Sequence, residues 1–212
     1  MKTKHLAGAL ALTLLAGTAG AATIVQNGSF EDVTDGTVTH DGGSWKVYSA
    51  IPGWDATAGQ GIEVQTNTII SAQDGDNYVE LDSHPSKGSN STMAQSVWLD
   101  IGSYVLSFWY SPRTSDAGTN GIEYSVGSLL SGSVTGPGSD PVTSVGSWTE
   151  ILATFTVETA DNYDLVFAAT GTENKLGGFV DNVSISAVPV PAAGVLLLTA
   201  LGGLGLARRR KG

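Results

Sequence analysis

The sequence predicts an all-β protein, a two-sheet antiparallel β-sandwich, in residues 22–187 of the 212-residue chain. Short apolar runs are separated by turn-forming pairs such as Asp74-Gly75 and Gly177-Gly178, which is typical of strands joined by tight turns. No sustained helical period occurs outside the two ends of the chain. The segment is long enough to form one domain with a buried core.

About eight to ten strands are expected, as in other two-sheet sandwiches. Residues 104–111 alternate most clearly, with four aromatic or aliphatic side chains on one face, and residues 151–157 alternate in the same way. Residues 32–59 and 131–146 are predicted to be long loops, which are often functional. The strands are predicted at residues 61–65, 78–82, 93–99, 104–111, 121–126, 151–157, 163–169 and 179–186.

The N-terminus is predicted to be a secretory signal peptide, residues 1–21. Lys2 and Lys4 precede an apolar run at residues 6–15, and the small residues Ala19-Gly20-Ala21 follow it. The alternative is a first core helix. The signal peptide predicts export of the domain.

The C-terminal residues 188–212 carry a second apolar segment between prolines and a basic cluster. Sixteen helical residues would span about 24 Å, slightly less than the roughly 30 Å hydrocarbon core of a membrane. The basic cluster is expected to stay on the cytoplasmic side. The flanking residues are Val188, Pro189, Val190, Pro191 and Ala192 before the apolar segment, and Arg208, Arg209, Arg210 and Lys211 after it.

This arrangement resembles the PEP-CTERM sorting signals of exported bacterial proteins. Val190 stands where the family name has Glu, so the tail is more similar to the Val-Pro-Leu-Pro-Ala variant. The resemblance implies an exosortase-type processing enzyme as a partner, and the alternative is a permanent membrane anchor. Either case implies a cell-envelope, cell-surface or extracellular location.

The charge of the predicted domain is strongly negative. All 20 acidic residues lie between Glu31 and Asp181, and only Lys46, Lys87, Arg113 and Lys175 are basic in that region. A nucleic-acid binder with a basic groove is therefore excluded. The absence of cysteine excludes disulfides, thiolate zinc sites and cysteine nucleophiles.

Four dispersed segments of the predicted domain form a second set of motifs. They are 24–31 (IVQNGSFE), 51–54 (IPGW), 74–82 (DGDNYVELD) and 179–184 (FVDNVS). Together they resemble the galactose-binding-like jelly rolls, a superfamily that includes many carbohydrate-binding modules. The resemblance implies a jelly-roll form of the sandwich and a carbohydrate polymer, such as exopolysaccharide or a cell-wall polymer, as the ligand.

Asp181 is the most informative acidic residue. In a regular strand it shares a face with Phe179, Val183 and Ile185, so its carboxylate is predicted among core side chains and needs a cation or strong donors. The resemblance implies that Glu31 and Asp181 hold a structural calcium ion with backbone carbonyls. The alternative is that Asp181 accepts backbone N–H groups at a turn and Glu31 is solvated.

The candidate carbohydrate-binding residues are aromatic and polar, because sugar rings stack on aromatic faces while polar groups bind the hydroxyls. Trp54 is instead predicted to fill the core, and residues 74–77 to form a turn. The alternative for the aromatic candidates is that they cover a sheet or a loop. The candidates are Trp45 and Tyr48 in the first long loop, Trp109 and Arg113 near the end of a strand, and Glu80 and Asp82 on one face of another.

Glu80 and Asp82 are also the best candidates for catalysis, since carboxylates one strand repeat apart, near 7 Å, lie in the broad range of glycosidases. Nothing beside them in sequence indicates a raised pKa, and His40 and His84 are predicted in exposed loops. No zinc-protease, serine-hydrolase or phosphate-loop motif occurs. The protein is therefore predicted to bind carbohydrate without catalysis, with a protein-binding structural or adhesion role and a polysaccharide hydrolase as alternatives.

Overall fold

A computed structural model describes residues 24–85, 88–136 and 146–189. These residues form thirteen β-strands and no helix, so the all-β prediction is confirmed. The predicted signal peptide and the sorting segment from Val190 onward lie outside the described residues. Within the described ranges, no helix is long and apolar enough to cross a membrane.

Each strand is two to ten residues long, and every pairing is antiparallel. The strands are β1 (Val38–Asp41), β2 (Trp45–Tyr48), β3 (Ala50–Ile51), β4 (Trp54–Ala58), β5 (Ile62–Thr66), β6 (Asn77–Glu80), β7 (Thr92–Leu99), β8 (Gly102–Ser111), β9 (Gly121–Val126), β10 (Leu130–Val134), β11 (Thr149–Val157), β12 (Asp161–Thr170) and β13 (Phe179–Ala187).

The strands form two sheets that enclose the core. The seven-stranded sheet has the order β1-β2-β5-β6-β13-β8-β11, and the six-stranded sheet has the order β10-β9-β12-β7-β4-β3. The alternation predicted in β8 is confirmed, since Leu106, Phe108 and Tyr110 are fully buried. Trp54 is also buried as predicted, and its ring packs against Phe30 with 5.7 Å between ring centroids.

The prediction of a long loop at residues 32–59 is wrong, because β1 to β4 lie there. These strands have only two to five residues each, and Gly42-Gly43 and Pro52-Gly53 interrupt them. Runs this short show no readable alternation. In the second predicted loop, β10 occupies the start, and residues 137–145 lie outside the described residues.

The predicted face of the last strand is also wrong, because a bulge interrupts β13. The register with β8 shifts between Asp181 and Ser184, and Asn182 has a φ of 47°. Val183 and Ile185 therefore face the core, whereas Asp181 pairs with Trp109 on the opposite face. An extra residue in a bulge reverses the side-chain alternation beyond it.

Candidate functional site

The face of the seven-stranded sheet that points away from the core, here called the outer face, carries an unusual set of buried side chains. In register, Glu63 on β5 is opposite Glu80 on β6, and Glu80 is opposite Phe179 on β13. Gln65 and Tyr78 form the adjacent pair. All five residues are almost completely buried although they lie outside the main hydrophobic core.

A hydrogen-bond network joins the acidic residues of the outer face. The Gln65 amide Nε2 donates to Glu63 Oε1 at 3.0 Å and to Glu80 Oε2 at 2.6 Å. The backbone N–H of Gly177 donates to Glu80 Oε1 at 2.7 Å. Arg113 Nη1 forms an ion pair with Glu80 Oε2, and the guanidinium lies 6.0 Å from the centre of the Phe179 ring. Two of the predicted carbohydrate-binding residues, Arg113 and Glu80, are therefore in direct contact.

Burial raises the pKa of Glu80 well above its ordinary value, and the nearby Glu63 adds to the rise, while Arg113 acts in the opposite direction. This rise has no signal in the residues next to Glu80, where nothing indicates a raised pKa. Glu80 is fully buried because β6 lies between β5 and β13, and because Gln65, Arg113 and the backbone at Gly177 surround its carboxylate. Its neighbours in the network come from β5, β8 and the loop before β13, so the sequence near Glu80 could not indicate them.

Glu80 and Asp82 do not form a pair. Strand β6 ends at Glu80, and Asp82 lies beyond it in an isolated bridge with Asn90. Asp82 Oδ2 accepts the backbone N–H groups of Asn174 and Leu176, each at 3.0 Å. Both carboxylates are fully buried and hold backbone N–H groups of residues 174–177, so they do not form a pair of accessible groups that could contact a ligand.

The carboxylates that do approach each other are Glu63 and Glu80. Gln65 Nε2 donates to Glu63 Oε1 at 3.0 Å and to Glu80 Oε2 at 2.6 Å, so these two oxygens are no further apart than the carboxyl groups of retaining glycosidases, which are separated by about 5–5.5 Å. However, all four carboxylate oxygens accept hydrogen bonds or ion pairs, and both side chains are fully buried. Neither carboxylate is free to act on a substrate in this arrangement.

A cluster of stacked rings lies beside this network. The Trp45 indole stacks on the His84 imidazole with 4.3 Å between ring centroids and on His40 with 5.2 Å. His84 Nδ1 is 2.8 Å from Glu63 Oε2, so the ring is held in place by the buried carboxylate. Trp45 is half-buried and leaves part of its ring accessible. Both histidines are predicted in exposed loops. His84 is instead half-buried, and His40 is exposed but lies on strand β1.

Trp109 lies on the same outer face, on β8. It is half-buried and is in register with Asp181 on one side and Glu150 on the other. Trp45 and Trp109 are separated by four strand spacings, or about 19 Å. The polar network lies between them.

Tyr48 is a core residue and not a ligand contact. Its side chain is only 5% exposed, and burial raises the pKa of its hydroxyl. Successive side chains of β2 point to opposite faces, so Trp45 points outward and Tyr48 packs into the core. The prediction of Tyr48 as a ligand contact is therefore wrong, because the segment is a strand and not a loop.

Sequence reasoning missed Glu63, Gln65, His40 and His84. The alternation of β5 (IEVQT) could have placed Glu63 and Gln65 on a shared face, because Ile62 and Val64 occupy the other face. The contact of His84 with Glu63 had no local signal, since it depends on the path of the loop after β6.

Glu31 and Asp181 are brought to the same turn, residues 73–77. Glu31 Oε1 accepts the N–H groups of Asp76 and Asn77 at 3.0 and 2.7 Å. Asp181 Oδ2 accepts the N–H groups of Gln73 and Asp74 at 2.8 and 3.1 Å. The described residues contain no cluster of three or more acidic or histidine side chains that could hold a metal.

Burial raises the pKa of Asp181 to about 7, against the opposing effect of its three backbone N–H donors. Two carboxylates with hard oxygen atoms suit Ca²⁺, and neither forms an ion pair with a described basic side chain. In this respect the residues fit a calcium ion. Their observed partners are nevertheless backbone N–H groups, which is the alternative that the sequence left open for Asp181.

No protein-family model and no curated protein matches the sequence. Solved structures do match, including TmCBM61 in complex with β-1,4-galactotriose, at 19% identity, with coverage of 79% of this chain and 100% of that chain and a TM-score of 0.47. A carbohydrate-binding module from Cellvibrio mixtus lichenase 5A in complex with cellotriose has 14% identity, 63% and 92% coverage, and a TM-score of 0.41. An arabinose-bound α-L-arabinofuranosidase has 14% identity, 81% and 27% coverage, and a TM-score of 0.49.

Proposed function

We propose that residues 22–187 form an exported, non-catalytic module that binds a carbohydrate polymer through the outer face of the seven-stranded sheet. The observation that carries the proposal is the pair of half-buried indoles, Trp45 and Trp109, on either side of a polar network. Exposed parts of aromatic rings can stack on sugar rings, and the buried network between the two indoles holds in place the strands that carry them. The resemblance of four sequence segments to galactose-binding-like jelly rolls supports the same function.

The spacing of the two indoles favours an extended ligand. About 19 Å between β2 and β8 exceeds the size of one sugar, so a single monosaccharide could not contact both rings. Several consecutive sugar units of a polymer could contact both rings. We therefore expect binding to increase with chain length up to the span of the two rings.

The charges of the outer face favour a neutral polymer over an acidic one. Arg113 on the outer face is paired with Glu80. Glu150 is in register with Trp109 and adds negative charge. An acidic polysaccharide would meet like charge here and find Arg113 already neutralised.

Replacement of either indole tests the proposed site. Trp45→Ala and Trp109→Ala should each weaken binding of neutral polysaccharides at least tenfold, because each removes one stacking surface, as measured on a glycan array and by affinity electrophoresis. Trp98→Ala is the matched control, since Trp98 is 54% exposed but lies on the six-stranded sheet. Unchanged binding in both outer-face variants, with a normal melting curve, would reject the site.

We also propose that Glu31 and Asp181 hold calcium, and that residues 188–212 sort the protein to the cell surface through a membrane helix and an exosortase-type enzyme. A chain lacking residues 192–212 should then be released into the medium, whereas the full chain stays with the cells. Cell fractionation with an antibody to the domain measures this. Equal retention of both chains would show that the tail is not the anchor.

A protein-binding role in adhesion or matrix structure is the first alternative. Trp98 on β7, which is 54% exposed, and Ile101 in the turn after β7, which is 71% exposed, place two apolar side chains at the surface. Exposed apolar residues that cluster can mark protein interfaces. Loss of cell aggregation in Trp98→Ala, with glycan binding absent in all variants, would favour this alternative.

A polysaccharide hydrolase is the second alternative, and the Glu63–Glu80 proximity is the observation that favours it. Reducing-sugar release by the wild-type protein that disappears in Glu80→Gln would establish catalysis. We expect no release, because both carboxylates are buried and fully hydrogen-bonded.

A further inference from the structure

Asp82 and Asn90 face each other across the base of the loop between β6 and β7, outside the proposed carbohydrate site. They form an isolated antiparallel bridge. The flanking hydrogen bonds run from Ser83 N to Ser89 O at 2.8 Å and from Ser91 N to Leu81 O at 2.7 Å. This is the narrow type of antiparallel pair, in which the Cα atoms are about 4.5 Å apart and the two side chains lie side by side on one face.

One oxygen of each side chain is left without a partner. Asp82 Oδ2 accepts two backbone N–H groups from the loop before β13, and Asn90 Nδ2 donates to Gly171 O at 2.9 Å. Asp82 Oδ1 and Asn90 Oδ1 are both buried and accept no hydrogen bond within the described residues. The carbonyl acceptor at Gly171 fixes the orientation of the Asn90 amide, so its oxygen cannot be exchanged for a donor.

Two neighbouring buried acceptors without a donor are unfavourable unless something positive or donating lies between them. The buried Ser89 hydroxyl, which also lacks a partner, cannot fill this role because adjacent residues of a strand point to opposite faces. A carboxylate oxygen and an amide oxygen are, however, a normal pair of ligands for Ca²⁺.

We propose that Asp82 Oδ1 and Asn90 Oδ1 bind a hard divalent cation, with Ca²⁺ as the expected ion, and that backbone carbonyls and water complete its coordination. Because the pair supplies one carboxylate, we expect a dissociation constant of about 10⁻⁴–10⁻³ M, as in extracellular modules. That affinity is sufficient at the calcium concentrations found outside a cell, so the inference rests on the proposed export.

The cation would also stabilise the carbohydrate site. Asp82 holds the N–H groups of Asn174 and Leu176, and the next residue, Gly177, donates to Glu80 in the outer-face network. Fixing Asp82 therefore fixes the segment that supports Glu80. This coupling predicts slower hydrogen exchange in residues 171–177 when calcium is present.

Calcium titration of the chelator-stripped full chain tests the proposal. A Glu31→Gln background removes a ligand of the other proposed calcium site, and isothermal titration calorimetry should still detect about one ion per chain. Adding Asp82→Asn should weaken that binding at least tenfold, whereas Asp35→Asn, which changes an exposed carboxylate, should leave it unchanged. The calcium-dependent protection of residues 171–177 should disappear with Asp82→Asn and persist with Asp35→Asn.

Asn90→Ala gives a second test that keeps Asp82 and should also weaken binding at least tenfold. The Asn90→Ala variant tests the cation site if the Asp82→Asn protein does not fold. Absence of calcium binding in the Glu31→Gln chain would mean that water fills the position and would overturn the proposal. Binding that neither Asp82→Asn nor Asn90→Ala alters would overturn it as well. Unchanged glycan binding in the Trp45 and Trp109 variants would reject only the proposed carbohydrate site, so the two proposals can fail separately.

Discussion

Arg113 and Glu80 form the ion pair at the centre of the outer face. The Glu80 side chain is fully buried and the Arg113 side chain is only 15% exposed. Removing one partner of a buried pair leaves the other charge uncompensated, which costs more than the pair contributes when intact. Replacing one partner is therefore expected to destabilise the protein more than replacing both partners.

We expect Arg113→Ala to lower the free energy of unfolding by about 3–5 kcal/mol, because Glu80 remains buried without its cation. The double variant Arg113→Met with Glu80→Gln should recover most of that loss. Urea unfolding monitored by tryptophan fluorescence measures both. Equal destabilisation in the single and double variants would show that Arg113 acts through packing instead of charge.

Individual residues also show what sequence alone could and could not determine. Trp54 was predicted to be buried because an apolar ring after a Pro-Gly turn has one obvious place in a sandwich, and it is 1% exposed. The sequence predicts Trp45 and Tyr48 in one loop, but the two-residue periodicity of β2 places their side chains on opposite faces. A four-residue strand is too short for its period to be recognised in the sequence.

At the scale of elements, the bulge in β13 decides which side chains reach the outer face. The long, regular strands β8 and β11 were predicted with their correct faces because seven or more residues repeat the alternation. In β13 one extra residue reverses it, and the sequence FVDNVS gives no separate sign of this. Asn182, with a φ of 47°, is the residue at which the backbone adopts the required conformation.

Asn182 is expected to tolerate Gly and to resist β-branched residues. Asn182→Val should lower the free energy of unfolding by about 1–3 kcal/mol, since a left-handed backbone is strained for a β-branched residue. Asn182→Gly should cost less, although it loses the 2.7 Å hydrogen bond from Asn182 Nδ2 to Gln73 Oε1. Chemical denaturation of both variants measures the difference. A Val variant as stable as the Gly variant would contradict the role of the backbone.

At the scale of the whole molecule, the excess of acidic residues makes stability depend on pH and on cations. Asp181 has a folded-state pKa of about 7, above the ordinary 3.8. A carboxyl with a raised pKa takes up a proton on folding, so its contribution to stability is complete at low pH and is lost as the pH rises from about 4 to 7.

We expect the stability of the wild type in chelator, measured relative to Asp181→Asn, to fall by about 2–4 kcal/mol between pH 4 and pH 7.5. The comparison cancels the effect of Glu80, whose pKa is raised in both proteins. Calcium at pH 7.5 should raise the melting temperature of the wild type if Glu31 and Asp181 bind it. A pH-independent difference would contradict the raised pKa, and an unchanged melting temperature with no bound metal in elemental analysis would reject calcium.

The position of β13 also determines when the domain can fold. The final described strand is not at a sheet edge but lies between β6 and β8, and pairs with segments of the chain about 70 to 100 residues earlier. Such non-local contacts form slowly, because a long loop must close first. Until residues 179–187 have left the ribosome, β6 and β8 lack their shared neighbour. The seven-stranded sheet therefore cannot be completed before nearly the entire domain has been synthesised.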